Sequence, residues 1–192
     1  MLSEEEKRKL LEIARRSLEE SVHGRRLPSF HLDSRTLTSP GAAFVTLKKG
    51  GELRGCIGMM EPIEPLYVAV ARMARAAALE DPRFPPVAKV ELPDIRLDIS
   101  VLTPLERVLS AEEIEVGKHG LRIERGGLCG VLLPQVAREY NWDRVQFLRQ
   151  TCRKAGLPED AWEKGAQVFK FSAEVFGEEP EAGGVDSGTR AP

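Results

Sequence analysis

Two Gly-Gly pairs constrain this sequence more than any other feature, because each pair separates two strand-like runs. Gly50-Gly51 lies between residues 42–49 and 52–57, and Gly126-Gly127 occupies the same position between two later runs. Glycine readily adopts the left-handed backbone conformation that two-residue hairpin turns require. The sequence therefore predicts two β-hairpins, and hence a sheet that is at least partly antiparallel.

Helical and strand patterns alternate through the rest of the chain. Ser3 and Glu6 form a capping-box pattern, which predicts a helix that continues to Gly24. Further helices are predicted over 66–79, 134–140 and 143–155, with short ones after Ser110 and over 158–164, and alternating apolar residues predict strands over 95–101 and 169–175. Residues 25–41 are expected to form a long connecting loop. Helices mixed with antiparallel strands indicate an α+β fold.

Composition and charge argue against some classes of function. The 192 residues are 42% hydrophobic, which supplies enough apolar material for one sizeable core. A net charge of −2 and a pI near 6.0 argue against a general nucleic-acid binder. No apolar run approaches the roughly 20 residues that span a membrane. Three widely spaced cysteines without a secretory signal are typical of a cytoplasmic protein.

The segment Leu53-Arg54-Gly55-Cys56-Ile57-Gly58 is the strongest functional candidate. Two glycines weaken a strand, so inside one they usually mark a bulge or a close approach of backbone or ligand. A guanidinium beside Cys56 would favour the thiolate form of the cysteine and could position an anionic group. We therefore take Cys56 and Arg54 as candidate catalytic residues, and Gly55 and Gly58 as candidate ligand-binding residues.

The first hairpin has a predicted register. Pairing the residues that flank its glycine turn places Leu47 opposite Arg54 and Val45 opposite Cys56. Arg54 and Cys56 would then project from one face, with Cα atoms about 6.8 Å apart. We expect both side chains to lie open to solvent in a concavity, within reach of one ligand.

Other candidates lie further along the chain. Asp81 and Arg83 could complete a polar cluster with Arg54, although a local Asp-Pro turn and ion pair would also explain them. Ser100 on a predicted strand and Gln135 in the first turn of a predicted helix are further ligand-binding candidates. The cysteines form no close pair, so no metal site is predicted. The chain has neither a Walker phosphate loop nor an iron–sulfur ligand run, so no cofactor is predicted.

The signature segment and much of the remaining sequence resemble the AMMECR family. Beside residues 53–58, the similarity includes Gly41 to Leu47, Asp81 to Phe84, Glu91-Leu92, Ile99 to Pro104, Leu133 to Ala137, Trp142-Asp143, Phe147-Leu148, and Cys152 with Lys154 to Leu157. It covers residues 3–177, and its hexapeptide is specific. We expect a single domain over 3–177, followed by a disordered acidic tail over 178–192 that is rich in glycine and proline.

The resemblance carries implications for fold and partners. It implies a larger lobe, built from both chain ends around an antiparallel sheet with flanking helices, and a smaller α+β lobe inserted in it. In prokaryotes, such proteins look like the A component of the AmmeMemoRadiSam system. That system also contains a Memo-like protein and a radical SAM protein, which are the implied partners. The resemblance implies no particular activity.

Two functions remain open from the sequence. A ligand- or partner-binding adaptor would use the Arg54–Gly58 surface without turnover, in a pathway with those partners. A small enzyme or covalent carrier would instead use Cys56 as nucleophile and Arg54 as the anchor for an anionic small molecule. No His or carboxylate stands at a spacing that guarantees a general base for Cys56. The adaptor is therefore the favoured function, and whether the protein is an enzyme stays open.

Overall fold

The computed structural model describes residues 1–178. In this part of the chain the helices are α1 (Glu4–Val22), α2 (Arg35–Thr38), α3 (Leu66–Leu79), α4 (Pro134–Glu139) and α5 (Arg144–Lys154). The strands are β1 (Ala42–Lys49), β2 (Glu52–Met59), β3 (Ile95–Leu102), β4 (Glu106–Arg107), β5 (His119–Arg125), β6 (Leu128–Leu132) and β7 (Gln167–Gly177). Two short 3-10 helices cover Lys89–Asp94 and Ala111–Glu113.

The strands form one curled antiparallel sheet in the order β2-β1-β3-β7-β5-β6, with β4 paired to β7. Strand β7 joins the two halves, because its C-terminal part pairs with β3 and its N-terminal part with β5. Both predicted hairpins are present, and their turns have the positive φ that glycine favours, with 59° at Gly50 and 86° at Gly51. The predicted α+β fold is therefore confirmed.

Two large hydrophobic clusters form the core. The first lies between α1, α3 and one face of β1 to β3, and it contains the fully buried Leu10, Val45 and Ile99. Alanines along α3 let that helix approach its neighbours closely. The second cluster surrounds Phe147 on α5 and includes Cys152, whose predicted packing role is confirmed by its complete burial. Burying each large apolar side chain contributes roughly 2 kcal/mol.

Both ends of the described chain belong to the first cluster. Leu2 is buried in it, and Phe176 near the end of β7 packs against it. Ser3 and Glu6 form the predicted capping box at the start of α1, so this prediction is also confirmed. The fold thus has the larger part built from both chain ends that the resemblance implied.

Three local predictions differ from the structure. Residues 158–164 form hydrogen-bonded turns rather than a helix, because their bonds, such as Ala161 N–H to Pro158 C=O at 2.9 Å, close only single turns. The loop over 25–41 is interrupted by α2, which Ser34 caps through its side chain. Glu178 belongs to the domain rather than to the tail, since it pairs with Arg15 and bonds to the backbone of Leu97. The rest of the predicted tail lies outside the described residues.

Candidate functional site

Strand β2 carries the signature at one edge of the sheet, and it contains a β-bulge. Leu47 pairs with Gly55, because Arg54 is an extra residue on β2. The bulge shifts the following pairs by one position, so Thr46 lies opposite Cys56. A bulge re-aims the side chains around it, and alternation alone does not reveal its position. The predicted pairs are therefore wrong: Leu47 with Arg54, and Val45 with Cys56.

Arg54 is held by its own chain. Its Nε and Nη2 donate to the two carboxylate oxygens of Glu91 at 3.0 and 2.9 Å, and its Nη1 donates to the carbonyl of Pro85 at 3.0 Å. The side chain is only 13% exposed. The expectation that Arg54 lies open to solvent is therefore wrong, because a bidentate pair with Glu91 occupies the guanidinium fork.

The pair with Arg54 also sets the ionisation of Glu91. The Arg54 hydrogen bond and then the Ala88 N–H lower the pKa of Glu91 from 4.5 to about 2. A carboxyl whose pKa is lowered by folding stabilises the fold above its ordinary pKa, and this contribution is lost as the pH falls through the folded value. The contribution of the Arg54–Glu91 pair to stability is therefore complete at neutral pH and declines as the pH falls from about 4.5 to about 2.

Replacing Glu91 by Gln tests this linkage. At neutral pH we expect the free energy of unfolding to fall by about 2 kcal/mol, because Arg54 loses its charged partner. The difference from the wild type should shrink as the pH is lowered from about 5 towards 2, where the wild-type carboxyl also becomes neutral. Urea denaturation across this range measures it, with Glu52→Gln as the exposed control. A difference that stays constant down to about pH 2 would contradict the linkage.

Asp81 and Arg83 close the free edge of β2 at Cys56. Asp81, which is 5% exposed, accepts the Cys56 N–H at 2.8 Å, and Nη2 of Arg83 donates to the Cys56 carbonyl at 3.2 Å. Arg83 also binds the Asp81 carboxylate, and this hydrogen bond is the main cause that holds the pKa of Asp81 far below its usual range. The two residues thus satisfy backbone groups that an edge strand would otherwise expose.

Each glycine of the signature has a packing reason. A Cβ on Gly55 would lie 2.2 Å from the carbonyl oxygen of Ala77, so α3 rests directly on the strand at this point. A Cβ on Gly58 would lie 2.1 Å from the ring of Phe44, which covers Gly58 on the other face. The predicted close approach is made by α3 and Phe44, and Gly55 is buried beneath the helix.

The face of β2, β1, β3 and β7 that points away from α3 brings Cys56 and Ser100 onto one surface. Strand register aligns Gly58, Phe44, Ser100 and Val175 in one row and Cys56, Thr46, Asp98 and Gly177 in the next. We call these two rows the Cys56 face. Within it, the Thr46 hydroxyl donates to the Cys56 sulfur at 3.2 Å. Asp98 pairs with Lys48 at 2.6 Å.

The Cys56 face is partly apolar and partly open. Val175 is 59% exposed, Phe44 and Cys56 are half-buried, and Ser100 is 8% exposed between its strand neighbours. Gln135 lies on α4, and no hydrogen bond within residues 1–178 joins it to Cys56 or Ser100. The structure therefore groups three of the predicted site residues, Cys56, Gly58 and Ser100, on this face and leaves Gln135 apart.

Sequence reasoning missed three residues that shape the site. Glu91 lies 37 residues from Arg54, and no local pattern connects them. The predicted register pairs Val45 with Cys56, and only the bulge brings Thr46 opposite Cys56 instead. Asp98 lies in the same row as Cys56 because β1 lies between β2 and β3, and Thr46 on β1 pairs with both residues. A model of the strand order with the bulge at Arg54 would have found the last two.

No group of three or more His, Cys, Asp or Glu side chains within residues 1–178 is arranged to hold a metal ion. None of the helices in the same range combines the length and the apolar character that crossing a membrane requires.

The fold and site define an α+β protein. Its edge strand β2 carries the sequence LRGCIG, packs against α3 and is hydrogen-bonded by the side chains of Asp81 and Arg83. The family model described as AMMECR1 matches residues 11–176, so the chain belongs to the AMMECR1 family. A protein of Methanothermobacter thermautotrophicus is 46% identical over 188 residues, which cover 93% of this chain and 97% of the relative. Protein TK0174 of Thermococcus kodakarensis is 45% identical, with 92% of each chain covered.

A solved structure supports the same fold. The crystal structure of the uncharacterized protein PH0010 from Pyrococcus horikoshii superimposes with a TM-score of 0.81 at 40% sequence identity. The match covers 89% of this chain and 90% of that one. At this identity and coverage, the two chains share one overall fold.

Proposed function

We propose that the protein is an adaptor that binds a ligand or a partner chain on the Cys56 face, beside the Arg54–Gly58 segment. The proposed setting is the pathway of the Memo-like protein and the radical SAM protein. The observation that carries the proposal is the exposure of Val175 in the same row of the sheet face as Phe44, with Ser100 between them. Apolar side chains that stay open beside half-buried aromatic surface are suited to contact with another molecule.

The contacts around the signature give this surface a fixed shape. Arg54, Asp81 and Arg83 are engaged by hydrogen bonds within the chain, and Gly55 is covered by α3. A surface that is ordered before binding loses little conformational entropy when the complex forms. In this proposal Arg54, Gly55, Asp81 and Arg83 support the site. Cys56, Gly58 and Ser100 line it.

A second candidate function is supported by one contact. The Thr46 hydroxyl, which donates to the Cys56 sulfur, would stabilise negative charge on a nucleophilic Cys56 in a small enzyme or covalent carrier. Arg54 could anchor an anion in such an enzyme only after leaving Glu91, which holds both of its fork nitrogens. The geometry therefore favours recognition over turnover.

Val175→Glu tests the adaptor function. We expect this change to weaken binding of the Memo-like or radical SAM protein of the same organism at least about tenfold, because it places a charge in the centre of an apolar contact. Isothermal titration calorimetry with the purified proteins measures the affinity. Leu109→Glu is the matched control, since Leu109 is also a large exposed apolar residue and lies outside the Cys56 face.

Cys56→Ser separates the two functions in the same assay. An adaptor should bind its partner with nearly unchanged affinity, because serine keeps a small polar side chain beside Thr46. A covalent carrier or enzyme should lose its adduct and its turnover. If neither protein binds the wild type, or if Val175→Glu binds as well as Leu109→Glu, the adaptor function on this face is wrong.

A further inference from the structure

Strand β6 lies at the end of the sheet opposite to β2, and it pairs on one side only, with β5. The hairpin that joins β5 to β6 turns through Gly126-Gly127, so Arg125 and Leu128 form the hydrogen-bonded pair that closes the turn. Hydrogen-bonded and non-hydrogen-bonded pairs alternate along an antiparallel ladder. Cys129 and Val131 therefore direct their backbone N–H and C=O groups away from β5.

The edge of β2 provides the contrast. There the outward N–H of Cys56 donates to Asp81, and the outward C=O accepts from Arg83. On β6, no hydrogen bond within residues 1–178 engages the outward backbone groups of Cys129 and Val131. Cys129 is exposed and Val131 is half-buried. A row of unpaired N–H and C=O groups at a sheet edge is a template for a further strand.

Helix α5 gives one side of this edge a positive charge. A Cβ on Gly130 would lie 2.4 Å from the backbone nitrogen of Ala155, so the C-terminal end of α5 rests directly on β6. The helix contains no acidic residue and four basic ones: Arg144, Arg149, Arg153 and Lys154. Arg149 and Lys154 are exposed, and neither has a hydrogen bond or an ion pair within residues 1–178. A partner at this edge therefore meets two cations that the domain does not neutralise.

We propose that the edge of β6 binds an extended segment of a partner chain as an additional strand, and that acidic and apolar residues alternate in this segment. The residues that pair with Cys129 and Val131 form the backbone hydrogen bonds, and their side chains lie on the face that carries Val131. The residues between them point to the α5 side, where Arg149 and Lys154 attract carboxylates. The edge lies outside the Cys56 face, so this interface goes beyond the adaptor function and does not depend on it.

A second copy of this chain fits the edge less well. Antiparallel pairing of two β6 strands about a two-fold axis would place both α5 helices side by side on the same face of the joined sheet. The unpaired cations of the two helices would then repel each other, whereas an acidic segment is attracted by them. Charge complementarity therefore favours a different, acidic partner.

A synthetic peptide with blocked ends and the sequence EVEVE tests the proposal. By NMR titration of the full chain, we expect shifts of the Cys129 and Val131 amide signals and slower hydrogen exchange of both amides. N-methylation of the two valines removes the peptide donors that face β6, so it should weaken binding at least about tenfold. N-methylation of two glutamates, whose amides face away from β6, is the matched control and should leave the affinity nearly unchanged.

Charge reversal on α5 tests the acidic character of the partner. Arg149→Glu with Lys154→Glu should weaken binding of the EVEVE peptide at least about tenfold and strengthen binding of its KVKVK counterpart. Arg8→Glu with Arg26→Glu changes the net charge by the same amount at two exposed positions away from α5, and it should leave both affinities unchanged.

Cys129→Pro removes one outward N–H and leaves the ladder with β5 intact, because an edge strand accepts proline where the N–H faces solvent. It should bind the EVEVE peptide several-fold more weakly than Cys129→Ala, which keeps the N–H. The methylated peptides and the charge variants keep the test decisive if Cys129→Pro does not fold. Absence of binding to the wild type, equal binding of the two methylated peptides, or self-association through β6 without peptide would overturn the proposal.

Discussion

Gly55→Ala is expected to lower the free energy of unfolding by about 3 kcal/mol or more. The new Cβ would lie 2.2 Å from the carbonyl oxygen of Ala77 and 3.2 Å from its carbonyl carbon. Backbone atoms of α3 cannot rotate away as a side chain can, so either the helix or the edge strand must shift. That shift would disturb the first hydrophobic cluster, to which Ala77 and Leu47 both belong.

Gly58→Ala is the matched comparison on the same strand. Its Cβ would meet the Phe44 ring at 2.1 Å, which is just as close. The ring is half-buried and belongs to a side chain, so it can turn toward the open face. We expect a loss of only about 1 kcal/mol. Urea denaturation of both variants measures the difference, and equal losses would show that α3 does not fix the strand.

Asp81→Ala is expected to lower the free energy of unfolding by about 3 kcal/mol. The change removes the acceptor of the Cys56 N–H and the partner of Arg83, and the Asp81 side chain is only 2% exposed. Asp81→Asn should cost less, because an amide oxygen can still accept from Cys56 but carries no charge for Arg83. Thermal and urea denaturation measure both variants.

Asp160→Ala provides the control for Asp81. Asp160 also pairs with a nearby cation, Lys164, but its side chain is 48% exposed. Exposed ion pairs contribute about 0–1 kcal/mol, so this variant should be nearly as stable as the wild type. Because the pKa of Asp81 lies far below its usual range, the Asp81 contribution should persist from neutral pH down to about pH 4. Similar losses for the two variants would mean that Asp81 does not hold the edge of β2.

Local patterns in the sequence were sufficient for most of the fold. The glycine turns, the capping box at Ser3 and the alternation over residues 95–101 depend on neighbours a few residues apart, and the structure contains each of them. The segment 158–164 shows the limit of this approach, because a few helix-compatible residues can also form separate turns.

The candidate site depended on contacts that no local pattern encodes. The bulge at Arg54 changes which residue faces Cys56, and two glycines signalled an irregularity without giving its position. Glu91 and Asp81 reach the signature from 37 and 25 residues away. Their partners could be recognised only after α3 and the following segment were packed along β2.

The most direct measurement compares partner binding by two proteins under conditions where both are folded. One carries Arg54→Met with Glu91→Gln, which removes the internal ion pair without leaving either charge buried alone. The other carries Val175→Glu on the Cys56 face. If the signature arginine supports the strand and the neighbouring face makes the contact, the double variant binds like the wild type and Val175→Glu loses at least about tenfold in affinity. Loss of binding in the double variant, with full binding by Val175→Glu, would instead make Arg54 the ligand anchor.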